Sequence, residues 1–357
     1  MPESMDFIDK EKCAALLAAN PRDVVLNERL AILLRNFGCL NESVEQMRKT
    51  LEMDPLEARH YRHLAEILLL KCQAQRAGDL CQSALKLFPE SHHFYRILAD
   101  SYLIEVISRT LDGEAKRQNL YAAEETLKKG FHLNALDAQL CAIQAKLCLM
   151  QNDEIEATDY LQWALESGLP FIGDQIDVLL CIGIIHSRQG IVKGLGESIQ
   201  KGLALFSEWT MPHYLQLSGL REHLLLMAEM YLNKPIKPKP LKAVFDEYGK
   251  LIAQGVQDNP GSRIFRESIL GMVQKRAAGD IEGAVKELRH VVEHFDSPPQ
   301  CVFYHFLKKT SIETILNVII GDLFLKKGKK RKAMIYYQKA LKVSPRDPAA
   351  RSRMEEM

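Results

Sequence analysis

The chain has 357 residues, 47% of them hydrophobic and 26% charged, and its 47 basic and 46 acidic residues leave a formal net charge of +1. This composition has ample apolar material for a core and excludes a global field that would gather nucleic acid or anionic lipid. The longest apolar run, VLLCIGII at 178–185, has eight residues, far short of the roughly 18 that a membrane span requires.

The N-terminal stretch MPESMDFIDKEK carries acids where a secretory leader begins basic and continues apolar. A cytoplasmic, unanchored protein is expected. The eight cysteines are Cys13, Cys39, Cys72, Cys81, Cys141, Cys148, Cys181 and Cys301, and no two form a C-x-x-C pair. A zinc knuckle or a redox pair therefore has no support. Most stand among leucines and alanines at helical spacing, as buried thiols in a reducing compartment do.

The pattern predicts a lone helix or cap within residues 1–20, followed by a periodic array over 21–357. Pro21, Pro55 and Pro89 lie 34 residues apart, and each follows a helix-like run. Proline stops a helix because it lacks an N–H and crowds the preceding turn, so equal spacing means equal units. Small residues keep the same register. Ala65, Ala77 and Ala84 precede Pro89 by 24, 12 and 5 residues, and Gly321, Ala333 and Ala340 precede Pro345 by the same distances. Small side chains at these points let two antiparallel helices approach closely.

The unit ETILNVIIGDLFLKKGKKRKAMIYYQKALKVSP, with Gly321, Phe324, Gly328, Ala333, Tyr337, Ala340 and Pro345, resembles a tetratricopeptide repeat, a 34-residue helix–turn–helix. The fold expected from this resemblance is all-α, a right-handed superhelical solenoid of about eight helix–turn–helix repeats. In chain order they fall at about 24–57, 58–91, 92–137, 138–171, 175–208, 220–262, 263–296 and 314–347. The third carries an insertion of about twelve residues near VISRTLDGEAKR, which lengthens its helices or their connection. In the sixth, NKPIKPKP predicts an exposed, non-helical connection, because Pro235, Pro238 and Pro240 oppose helix. The lysine-rich stretch 326–332 falls at the turn of the last repeat, where solvated charge is expected, with an anion contact as the alternative.

Few motifs suggest chemistry. His290, Glu293 and His294 match H-x-x-E-H, an inverted zinc-peptidase signature. That chemistry needs a third ligand and a sheet-containing fold, so a zinc-dependent hydrolase stands as the least favoured alternative. His60 and His63 are better placed as a polar helix face than as ligands, and GIVKGLGES at 190–198 lacks the strand that precedes a phosphate loop. No catalytic residue, cofactor, metal or small-molecule substrate is expected.

The resemblance implies a groove lined by the first helix of each pair, which holds a peptide or a protein partner. One subclass of the family grips the C-terminal carboxylate of cytosolic chaperones with lysine, asparagine and arginine. The corresponding positions here are Glu28, Ile32, His63, His93 and Ile97, and none matches. The function expected is a non-enzymatic scaffold or adaptor, with a peptide-sensing regulator as the alternative. Spacings of three and four place Glu28, Arg35, Arg59, Arg62, Glu66, His93, Arg96, Asp100 and Lys146 along the groove of the first four repeats. An acidic or carboxylate-bearing peptide is the partner this face suggests, met by unpaired arginines. Nucleic acid is not expected. The later repeats offer Leu180, Ile184, Leu225, Leu232, Val318 and Leu325 at similar positions, a more apolar groove.

Overall fold

Residue by residue, the small side chains set the helix crossings. Ala31, Ala65 and Ala99 recur every 34 residues and are fully buried, as are Ala77, Ala84, Ala157, Ala164, Ala333 and Ala340. The computed structural model describes residues 10–108, 111–208, 218–258, 260–294 and 305–357. Among these residues the chain is helical and forms no strand. It divides into two compact units, Met1–Ser167 and Gly168–Met357.

In the first unit, α1 (Lys10–Ala19) precedes four pairs: α2 (Val24–Asn36) with α3 (Leu40–Met53), α4 (Ala58–Leu70) with α5 (Ala74–Leu87), α6 (His92–Ser108) with α7 (Gly113–Leu133), and α8 (Ala138–Met150) with α9 (Glu154–Glu166). The two helices of each pair pack together, and successive pairs meet where α3 touches α4, α5 touches α6 and α7 touches α8. The core lies between the layers, where Leu64, Ala65, Cys81, Ala84, Phe94 and Ile97 meet. The twelve-residue insertion lengthens both helices of the third pair: α6 has 17 residues and α7 has 21, where α4 and α5 have 13 and 14.

The proline register marks the turns between repeats, and the residue just beyond caps the next helix. Asp23 accepts from the Leu26 N–H, Glu57 from Arg59, Asp137 from Leu140 and Asp347 from Ala350, satisfying orphan donors of the first turn. Within a repeat the turn needs one left-handed residue. Gly38 and Cys72, 34 residues apart, adopt φ of 80° and 56°, a conformation that glycine takes without a Cβ clash.

The second unit contains α10 (Ile172–Gln189), α11 (Val192–Glu208), α12 (Leu220–Tyr231), α13 (Pro238–Ala253), α14 (Pro260–Ala277), α15 (Ile281–His294), α16 (His305–Lys326), α17 (Lys330–Val343) and α18 (Pro348–Glu355). Its packing is not confined to neighbours. α16 lies against α10 and α12 as well as α17, and α18 lies against α12. Polar contacts fasten these crossings. Lys308 bonds Asp177, His223 Nε2 meets Ser311 Oγ at 3.0 Å, and the Tyr231 hydroxyl donates to Asp347 at 2.6 Å.

Three expectations change. Leu180, Ile184 and Val318 are fully buried and Leu225, Leu232 and Leu325 are half-buried, so these positions serve packing within the unit rather than an open apolar groove. The NKPIKPKP stretch is non-helical only over 233–237. Pro238 and Pro240 enter the first turn of α13, where a missing N–H costs nothing. The first helix of the last repeat is longer than its 34-residue pattern, since α16 starts at His305. Cys13, Cys81, Cys141, Cys148 and Cys181 are free and buried and Cys39 is free and half-buried. Among the described residues, no helix is long and apolar enough to cross a membrane.

Candidate functional site

The first helices of successive repeats in the first unit carry their charged residues on one face, and the structure joins them across helices. Glu28 of α2 is buried among three α4 side chains: Arg59 Nε at 3.2 Å, His63 Nε2 at 3.7 Å and His60 Nε2 at 3.8 Å. His60 is itself fully buried, with Nδ1 3.1 Å from the Asp54 carbonyl oxygen. Glu66 of α4 is gripped from both sides, by Arg35 of α2 at 3.6 Å and Arg96 of α6 at 2.6 Å, with His63 at 3.6 Å. Asp100 of α6 receives Lys146 of α8 at 2.5 Å. The acids of this face thus bridge one repeat to the next.

Burial alone would raise the Glu66 carboxyl. The neighbouring His63 and the charges of Arg96 and Arg35 overcome that cost and hold it well below the usual carboxylate range. Arg96 is buried and its Nε has no hydrogen-bond partner. Arg62 is half-buried and makes no hydrogen bond or ion pair among the described residues. The expectation of unpaired arginines therefore fails for Arg35, Arg59 and Arg96, whose opposite charges sit one repeat away. It stands for Arg62; Arg96 Nε also lacks a hydrogen-bond partner but is buried. The half-exposed Arg59 side chain remains reachable from solvent.

His93, at the start of α6, lies beside this row. Burial, then the neighbouring charges of His92, Arg62 and Arg96, push its imidazole down to about 4. Its Nδ1 is buried without a hydrogen-bond partner. His92 stacks on it with ring centroids 4.0 Å apart, and His92 Nε2 lies 3.1 Å from Asp137 Oδ2. Neither His92 nor Asp137 is marked by sequence spacing, because Asp137 reaches the pair from the turn before α8.

The remaining motifs are placed as follows. His290 is exposed on α15, whereas the side chains of Glu293 and His294 lie outside the described residues. The sheet that an inverted zinc-peptidase motif requires is absent among the described residues. Gly190 caps α10 in a left-handed conformation, and Gly194 and Gly196 belong to α11, so GIVKGLGES is a helix junction. The lysine-rich stretch is an exposed turn around Gly328, where Lys327 and Lys329 approach Glu282 at 3.3 and 3.1 Å.

No curated protein sequence matches the chain. A thermophilic TPR protein of Thermus thermophilus, TTC0263, is 16% identical over 57% of this chain and 98% of its own, with a TM-score of 0.49. A chain of the APC/C hetero-tetramer Cut9–Hcn1 is 15% identical over 97% of this chain, with a TM-score of 0.53; the match spans 58% of that chain. The latter likeness is one of fold. The sequence profile described as a tetratricopeptide repeat matches residues 316–347, the unit in which Gly321, Ala333, Tyr337 and Ala340 form the helix crossing. Residues 316–347 thus match a tetratricopeptide repeat, and beyond them the likeness to solved structures is one of fold.

Proposed function

We propose that the chain is a non-enzymatic scaffold that holds an extended peptide or a protein tail on the first-helix face of α2, α4, α6 and α8. The observation that carries this reading is the half-buried row of charge on that face, with donors left over beside it. Arg35, Arg59, Arg62, Arg96 and Lys146 stand against Glu28, Glu66 and Asp100, so cations exceed acids by two among these residues. The spare donor is Arg62, which is half-buried, and the outer half of Arg59 is open to solvent. A guanidinium in a partly desolvated setting grips a carboxylate with two parallel bonds. A peptide bearing acids every few residues fits this pattern, which lies along the helices that line the concave side in tetratricopeptide stacks.

The pairings decide how the proposal is tested. Arg96→Glu would set two carboxylates against each other where Glu66 now sits, and breaking a buried pair costs about 3–5 kcal/mol. Loss of binding would then report misfolding. Arg59→Gln with Arg62→Glu changes the accessible donors instead, without setting a second carboxylate against Glu28. A fluorescein-labelled library of acidic peptides, read by anisotropy, should contain binders to the native chain. The double variant should bind them at least about tenfold more weakly, the effect of losing roughly 1.4 kcal/mol, with unchanged helical circular dichroism. Equal binding by the variant would place the surface elsewhere.

A further inference from the structure

We infer that His92, His93 and Asp137 form a binding site for one divalent transition-metal ion. One ligand atom from each residue lies within 4.8 Å of the other two. Two imidazoles and one carboxylate are the donor set of three-ligand zinc sites that keep a fourth position open. The same set suits cobalt, nickel and copper, and does not suit calcium or magnesium, which prefer oxygen donors.

The geometry needs little change to close. His92 Nε2 and Asp137 Oδ2 stand 3.1 Å apart. Bonds of about 2.0–2.1 Å in a tetrahedron place neighbouring ligand atoms about 3.3 Å apart, so an ion can take the place of the proton between them with almost no movement. His93 must swing inward, and its Nδ1 makes no hydrogen bond that the movement would break. The carboxylate is already oriented, because Asp137 Oδ1 accepts from the Leu140 N–H at 2.7 Å. Such a supporting bond fixes a ligand's direction. Asn134 Nδ2, 3.5 Å from His92 Nε2, is displaced from that nitrogen when metal binds. The charges of Arg62 and Arg96 near His93 oppose any cation, which favours ions held by directional bonds to nitrogen over ions held by charge alone. Bound there, the ion ties the first turn of α6 to the turn between α7 and α8.

The test uses the full chain freed of metal with a chelator. Titration with cobalt(II) should give visible ligand-field bands that saturate at one equivalent, and calorimetry with zinc chloride should give the same stoichiometry. His93→Gln and Asp137→Asn, the latter preserving an N-cap residue, should each weaken zinc at least about a hundredfold, the upper end of what losing even an outer-shell partner costs. Circular dichroism should show both variants folded. Absence of the cobalt bands in the native chain overturns the site. So does unchanged affinity in both variants, since other histidines or cysteines would then hold the ion.

Discussion

Gly321 faces the ring of Tyr337 so closely that a Cβ there would overlap ring atom Cε1. Tyr337 has nowhere to retreat. It is fully buried, its hydroxyl donates to Asp322 at 2.7 Å, and Arg353 holds the same carboxylate at 3.0 Å. Gly321→Ala should therefore destabilise the chain by about 1–3 kcal/mol, as overpacking does, and lower the calorimetric Tm; an unchanged melt would mean that the ring has room. This contact is legible in the sequence, because a small residue and a large one recur at fixed offsets from a proline. His223 is the opposite case. Nothing around it in the sequence marks it, yet it is buried against Ser311, 88 positions later. Burial, then the charge of Lys308, press its imidazole down to about 3, whereas an unfolded histidine titrates near 6.5. The unfolded chain thus binds this proton more readily. The stabilisation is complete above about pH 6.5 and is lost as pH falls toward 3, by about 1.4 kcal/mol for each unit in that window. Urea denaturation at about pH 7 and pH 5 should show the slope, and His223→Gln should flatten it. A variant with the native slope would place the acid sensitivity in other groups.

At the scale of elements, the helices of the first unit follow from three local signals: proline before the turn, a capping side chain just after it, and small residues at the crossing. All three are short-range, so sequence alone locates these helices closely. The connection between α12 and α13 shows where such signals stop. Its prolines announce an extended segment but do not reveal that Ile236 is buried and held at both backbone groups. Its N–H donates to Glu229 Oε2 at 2.8 Å, and its carbonyl accepts from Arg276 Nη2 at 3.1 Å, while Arg276 also pairs with Glu229. A connection anchored this way should resist a brief digestion with a broad-specificity protease. Arg276→Ala removes the carbonyl's donor and leaves Glu229 without its cation, and it should make 233–237 an early cleavage site by mass spectrometry. Cleavage of the native chain there at the same rate would show that the anchor does not hold the backbone. The charged face has a similar limit. Spacing put Arg35, Arg59, Glu66, Arg96, Asp100 and Lys146 on one side of their helices, but the pairing between repeats depends on how side chains of adjacent helices interleave.

Across the molecule, the two units differ in how far their contacts reach along the chain. In the first, contacts run between successive helix pairs. In the second, α16 reaches back to α10 and α12, and Tyr231 joins Asp347 across 116 positions. Periodicity encodes which face of a helix is buried, not which distant helix covers it, so Leu180, Ile184 and Val318 read as one more lining. Stacks with contacts only between neighbours divide their stability among their members, and removing an end member costs the rest only one interface. The second unit has no such expendable end. α18 rests on α12, and α16 seals α10, so the last helices of the chain are structural parts of the first helices of their own unit. A lineage could lengthen or shorten the first unit one repeat at a time by duplication or loss, whereas the second can be inherited only whole.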